Sequence, residues 1–174
     1  MARPTVQPTG KELMWSEDEI IVSKTDTKGI ITYANKMFCT MAGYSPIELM
    51  NQNHNIIRHP DMPQSVFKLL WDTISTGKEI FAYVVNQARN GDHYWVLAHV
   101  TPNFDSDGNI IGYHSFRRVP SREAVNAAAG LYKIMREEEA KHSNPKEGMA
   151  AATGILVNLL QENGVSYDEF VLSL

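Results

Sequence analysis

The chain is poor in cysteine, the residue that makes disulfide cross-links and binds metals through a thiolate. Its 174 residues include a single cysteine, Cys39. A lone cysteine excludes an internal disulfide and a cysteine-rich zinc site. The Cys-x-x-Cys-His sequence is missing as well, which excludes covalent attachment of a c-type haem.

Long apolar runs are also missing. No run approaches the roughly 18 residues that span a bilayer, and the first residues, Met-Ala-Arg-Pro-Thr-Val, lack the apolar stretch of a secretory signal. The formal net charge of −4 argues against nucleic acid or an anionic membrane as the main partner. These absences predict a cytoplasmic protein with no membrane span and no nucleic-acid partner.

Motifs of the common enzyme classes are not found. The sequence has no nucleophile elbow, no glycine-rich phosphate loop and no metal-ligand spacing on a helix. His59 and Asp61 resemble an acid–base pair, but no nucleophile stands near them in the sequence. We therefore expect a protein that is not an enzyme and has no metal site built from side chains.

The composition and patterning predict one α+β domain. Hydrophobic residues make up 43% of the chain and charged residues 21%, enough for a real core. Five β-branched or alternating runs and several short helical segments are visible, and Asn90-Gly91 marks a tight hairpin. The predicted strands are 20–24, 30–34, 80–88, 93–101 and 109–118, and the strongest predicted helix runs from Pro63 to about Ser75.

Two flanking segments complete the predicted organisation. Residues 1–17 form an N-terminal arm, mobile over about 1–10, with a short helical turn expected within 11–19. The central domain covers 18–119, and residues 120–174 form a helical extension with helices over about 121–141 and 149–161 and a last turn from Ser166. The extension is predicted to cover the core or to provide a dimer or partner interface.

The segment from His54 to Pro63 is the richest in chemistry. It contains two histidines, an arginine and an aspartate between an apolar segment and two prolines. One interpretation is a solvated loop that caps the next helix, and the other is the edge of a ligand pocket.

Residues of about 18 to 119 resemble a PAS domain. The general markers are Asp26…Gly29-Ile30-Ile31-Thr32-Tyr33-Ala34-Asn35 and Phe38…Gly43-Tyr44-Ser45. More specific are Arg58-His59-Pro60-Asp61-Met62-Pro63, Leu70-Trp71 and Asn90-Gly91-Asp92-His93-Tyr94-Trp95-Val96, which resemble the PAS domain of bacterial aerotaxis receptors. That family binds FAD without a covalent bond and senses cellular redox state. The resemblance implies a five-stranded antiparallel sheet in the order 2-1-5-4-3, with helices on one face and a cleft between them.

The resemblance also implies site residues. Arg58, His59 and Asp61 correspond to positions tied to flavin binding, and Trp71 would stand beside the flavin ring. Phe81-Ala82-Tyr83 replaces a tryptophan-serine-glycine run that the family usually shows, so one wall of the pocket differs. The membrane anchor and signalling coiled coil of those receptors are also missing, which leaves the output open.

Physical chemistry gives other candidates and their alternatives. Phe67 and Tyr94 could pack on a flavin ring or simply fill the core. Asn86, an amide within an apolar run, needs a partner such as a flavin carbonyl if it faces inward. Arg58 suits a phosphate of FAD or FMN, or else an ion pair with Asp61 or Glu48.

Haem b is the rival cofactor. His54 and His59 lie in the region where an axial ligand would be expected, and His93, His99 and His114 lie on strands. A third possibility is a cofactor-free PAS module used for dimerisation. An adduct between flavin and Cys39 is not expected, because light-sensing domains of this fold carry their cysteine where this chain has 54–61. The partners predicted are thus a flavin, a second copy of the chain and an unidentified downstream protein.

Overall fold

The computed structural model describes residues 6–174. It contains one antiparallel sheet of five strands: β1 (Ile21–Thr25), β2 (Ile31–Ala34), β3 (Ile80–Gln87), β4 (His93–Phe104) and β5 (Ile110–Arg118). Their order across the sheet is β2-β1-β5-β4-β3, which confirms the predicted fold. The first strand in the chain, β1, and the last, β5, therefore lie next to each other, and β5 is the central strand of the sheet.

Short helices connect β2 to β3: α1 (Lys36–Ala42), α2 (Pro46–Leu49), a 3-10 turn (His54–Ile57) and α3 (Gln64–Ile74). Local chemistry sets their ends. The Asn35 side chain accepts from the Phe38 amide at the start of α1, and Ser45 and Glu48 form the predicted capping box. These helices cover one face of the sheet.

The core lies between that face and the helices. Ile21, Ile31 and Val96 of the strands are fully buried there, together with Phe38 of α1 and Leu49 of α2. This burial of apolar area is the main source of stability for the fold.

The last 55 residues form α4 (Arg122–Ala140), α5 (Pro145–Asn163) and α6 (Tyr167–Ser173). Val171 of α6 and the first turns of α4 pack with Tyr83 of β3 on the face of the sheet opposite α3. The far half of α4, which includes Met135, joins the main core. Helix α4 therefore passes around the side of the sheet where β3 is the edge strand. Within the described range 6–174, no helix has both the length and the apolar character of a membrane span.

The N-terminal segment matches its prediction only in part. Within 11–19 there is one hydrogen-bonded turn, in which the Glu19 amide donates to the Ser16 carbonyl at 3.1 Å, but no helix. Glu12 makes a parallel bridge with His93 at the start of β4. Thr9 adds a hydrogen bond from its hydroxyl to Asp92, at 2.6 Å. The described part of the arm is thus bonded to the β3–β4 hairpin turn, because that turn presents unpaired backbone groups that the local sequence pattern does not reveal. Residues 1–5 of the predicted mobile arm lie outside the described residues.

Candidate ligand-binding cleft

A large cleft opens between the sheet and the helices that connect β2 to β3. It encloses about 730 Å³ of empty space, counted out to its open mouth. That volume suits a small organic ligand or cofactor. Its walls are mostly apolar and include two arginines but no aspartate or glutamate: Ser23, Thr25, Gly29, Asn53, His54, Asn55, Ile57, Arg58, Phe67, Leu70, Trp71, Ile74, Val84, Asn86, Ala98, Val100, Tyr113, Ser115 and Arg117.

Arg117 is the most unusual residue of the cleft. It lies on the inner face of β5 and is only 3% exposed. Its Nη2 donates to Ser23 Oγ at 2.6 Å, and the guanidinium stands 5.1 Å from the Phe38 ring centroid. Burial lowers the pKa of Arg117 to about 10, so it stays a cation at neutral pH. Its Nη1 has no hydrogen-bond partner among the described residues. A buried cation without a carboxylate calls for an acceptor from a ligand.

His54 stands beside Arg117 on the 3-10 turn. Its Nε2 lies 2.7 Å from Nη2 of Arg117 and 3.3 Å from Ser23 Oγ, and its ring stacks on Phe38. Burial, and then the charge of Arg117, lower the pKa of His54 to about 3. The ring is therefore neutral, and because arginine only donates, Nε2 is the acceptor.

Asn86 and Ser115 add polar groups to the same sheet wall. Asn86 is 3% exposed and faces inward on β3, and within residues 6–174 its Nδ2 has no hydrogen-bond partner. The Ser115 hydroxyl, on β5, is also buried without a partner. Buried polar atoms are normally hydrogen-bonded, so these two atoms are available to bond a ligand in the cleft.

Arg58 and Phe67 form the opposite wall. The Arg58 guanidinium lies 4.1 Å from the Phe67 ring centroid and donates to the Met62 carbonyl at 3.5 Å. The backbone of Arg58 also bridges to Asn86, which ties this segment to the edge strand β3. Glu48 pairs with Arg89 and Asp61 with Arg136, both at 2.6 Å.

Trp71 lies at the mouth of the cleft. The side chain is 36% exposed and meets Tyr113 edge-on at 5.5 Å between ring centroids. Its ring reaches across to Gly29 in the β1–β2 turn, where an added Cβ would stand 3.1 Å from the indole. Trp71 thus connects α3 to the sheet across the opening.

Three predicted site residues lie outside the lining. His59 is buried behind it and accepts at Nδ1 from the Asp61 amide, at 3.1 Å. Asp61 turns toward α4, and Tyr94 is fully buried in the core. The structure therefore brings together Arg58, Phe67, Trp71, Asn86 and His54. A role for His59, Asp61 and Tyr94 in binding stays a prediction. Their contacts are with other protein groups behind the lining residues.

Several lining residues were not predicted, above all Arg117 and Ser115. Alternation along β5 places Tyr113, Ser115 and Arg117 on one face. This alternation is visible in the sequence, but it does not show which face of β5 points inward, because His114 and Phe116 on the other face could equally belong to a core.

A family match and sequence identity to known proteins identify the family. The model described as the PAS fold matches residues 31–117, half of the chain. The chain belongs to the PAS family. It is 40% identical over 120 residues to the aerotaxis receptor of Escherichia coli (strain K12), an alignment that covers 69% of this chain and 24% of the receptor. A nitrogen fixation regulatory protein of Klebsiella pneumoniae is 31% identical over 105 residues, covering 60% of this chain and 21% of that protein.

The chain thus spans about a quarter of the length of the aerotaxis receptor and about a fifth of the length of the nitrogen fixation regulatory protein. Among solved structures, the dark state of the blue-light photoreceptor Aureochrome1 LOV domain superposes with a TM-score of 0.58 at 23% identity, covering 66% of this chain and 85% of that one. At this identity the likeness supports the PAS fold alone.

Proposed function

We propose that this PAS protein is a non-enzymatic sensory module that binds a flavin, FAD by its family resemblance, and responds to redox state or oxygen. The observation that carries the proposal is the cleft itself, which has apolar walls, two arginines and no carboxylate. Such a lining suits a flat aromatic ligand that carries carbonyl oxygens and phosphate. The 40% identity to an aerotaxis receptor supports the same direction.

The residues present fit a flavin. Phe67 and Trp71 offer aromatic packing for the ring. Asn86, Ser115 and Arg117 have buried polar atoms without protein partners, which match the carbonyl and nitrogen-rich edge of an isoalloxazine. Arg58, half-buried, would meet a phosphate. FAD and FMN share these groups, so the choice of FAD rests on the family resemblance.

Flavin supplies reversible electron and proton transfer at its ring. Arg117 would place a fixed positive charge beside that ring, and a cation there favours any state in which negative charge accumulates. Arg117 also donates to Ser23 and His54. A bound flavin that gains negative charge would therefore compete for the donors of Arg117, whose hydrogen bonds connect β5 to β1 and to the 3-10 turn.

The contacts of the histidines favour flavin over haem b. Among the residues that line the cleft, His54 is the one histidine, and its Nε2 already accepts from Arg117. Cys39, on α1, is not among the lining residues, so a cysteine–flavin adduct is not part of the proposal.

The test is the absorbance spectrum of the purified full chain, followed by mass spectrometry of any small molecule released on denaturation. We expect the two visible bands of an oxidised flavin, and release of FAD rather than FMN. A single intense Soret band would overturn the proposal in favour of haem. A colourless protein that also fails to bind added FAD and FMN would overturn it in favour of a cofactor-free module, whose dimerisation sedimentation could then measure.

A further inference from the structure

Helix α3 begins without a capping side chain of its own. Its N-cap position is Pro63, which makes no side-chain hydrogen bond to the helix. The carboxylate of Glu139, on α4, takes this place: it accepts from the Gln64 amide at 3.0 Å, the Ser65 amide at 2.8 Å and the Ser65 hydroxyl at 2.7 Å. A carboxylate at a helix N-terminus satisfies free N–H groups and interacts favourably with the helix dipole.

A second contact holds α4 against the segment just before α3. Arg136, one turn before Glu139, pairs with Asp61 at 2.6 Å. Asp61 follows Arg58 and His59 in the loop that forms one wall of the cleft. Two charged groups of α4 thus hold two successive parts of the cleft wall.

The segment held in this way forms one wall of the cleft. Four residues of α3 line it: Phe67, Leu70, Trp71 and Ile74. From these contacts we propose that Arg136 and Glu139 form a clamp through which α4 responds to the occupancy of the cleft. The inference rests on the proposed function only in requiring a ligand there.

The clamp works by shifting a population. If a ligand draws α3 and its preceding loop toward the sheet, the groups that Glu139 and Arg136 bind must shift as well. Helix α4 then either moves with them or loses these contacts. Coupling of this kind is reciprocal. The factor by which the ligand changes the stability of the clamp is also the factor by which the clamp changes the affinity for the ligand.

The neighbouring charges of α4 provide a matched control. Glu137 has the same charge, lies two residues before Glu139 on the exposed side of α4, and approaches Lys133 of its own helix at 4.0 Å. Glu137→Gln therefore removes one negative charge from the same helix without touching α3, whereas Glu139→Gln removes the charge that caps α3.

The experiment is hydrogen–deuterium exchange on the full chain, free and saturated with FAD, combined with titration of FAD binding. In the natural protein we expect FAD to alter exchange in the last turn of α4 and at residues 64–67. Glu139→Gln should abolish the response in α4 and change the affinity for FAD about fivefold or more. Glu137→Gln should leave both unchanged.

The outcomes separate the clamp from the choice of ligand. A Glu139→Gln protein that binds FAD with unchanged affinity, or keeps the response in α4, overturns the clamp. If the natural protein binds no FAD, the proposed function fails, and the clamp then requires that Glu139→Gln still speed exchange at residues 64–67 in the free chain. Should that variant not fold, Ser65→Ala, which removes one of three donors, must give a smaller change in the same direction.

Discussion

The guanidinium of Arg117 donates to the imidazole of His54 across 2.7 Å, so the neutral histidine ring is a structural requirement of the cleft. A protonated ring has no acceptor nitrogen and would place a second cation against the buried arginine. Burial and the charge of Arg117 lower the pKa of His54 from 6.5 to about 3 for this reason.

This shift predicts a loss of stability in mild acid. The folded pKa lies below the unfolded one, so between pH 6.5 and 3 the unfolded chain binds a proton at His54 that the folded chain does not. The free energy of unfolding therefore decreases as the pH is lowered through that window, by about 1–2 kcal/mol for this group between pH 6.5 and 5. Urea unfolding at a series of pH values measures it.

His54→Gln is the comparison for that experiment, because the amide oxygen of glutamine can still accept from Arg117. Other buried histidines, such as His59, also have a lowered pKa and contribute to the total. The prediction is therefore the difference between the two proteins. If both lose stability equally as the pH falls, His54 is not the group responsible.

Arg117→Met tests the buried cation directly. Methionine retains much of the apolar volume and removes a charge that has no carboxylate partner, so we expect the free energy of unfolding to stay within about 1 kcal/mol of the natural value or to rise. Affinity for FAD should fall at least about tenfold, since hydrogen bonds to charged groups contribute about 1.5–3 kcal/mol. Denaturant unfolding and flavin fluorescence titration provide the two measurements.

Arg118→Met is the matched control, because Arg118 is the next residue of β5 and is exposed. It removes the same charge from the chain without entering the cleft. Equal losses of FAD affinity in the two variants would show that the overall charge matters, and not the position of Arg117.

Local patterns predicted the elements of this fold well. The spacing of apolar residues on α3, the Asn90-Gly91 hairpin and the caps at Asn35 and Ser45 all depend on neighbours in the chain, and the structure contains each of them. The sheet order came from family resemblance, because the pairing of β1 with β5 joins segments about 90 residues apart in the sequence.

The parts that sequence patterns did not predict depend on distant contacts. Strand β3 is buried along nearly its whole length because α6, about 85 residues later, covers its outer face, so alternation could not show which face lines the cleft. Arg117 was missed for a related reason: Phe116, apolar yet 40% exposed, faces the other way. The partners of Asp61 and Ser65 on α4 are likewise more than 70 residues away.

Tyr132→Phe should weaken the attachment of α4 to the sheet edge. The Tyr132 hydroxyl is buried and donates to the Tyr83 carbonyl of β3 at 2.6 Å. Its removal leaves that carbonyl without this donor, so we expect a loss of about 1–2 kcal/mol in the free energy of unfolding. Tyr33→Phe, at a residue that is 47% exposed, should change it by less than about 0.5 kcal/mol. Equal losses in the two variants would contradict a specific role for the Tyr132 hydroxyl.

Gly29→Ala tests the contact that spans the mouth of the cleft. Gly29 has φ of +78°, and an added Cβ would stand 3.1 Å from the Trp71 indole. Gly108 has nearly the same backbone, φ +83°, with nothing within 4 Å of an added Cβ. Both substitutions cost about 1–2 kcal/mol through the backbone, and Gly29→Ala should cost more because the indole must also move. In a Trp71→Ala background that excess should disappear, as thermal or urea unfolding of the four variants can measure. An excess that persists without the indole would show that the Gly29–Trp71 contact does not set the geometry of the mouth.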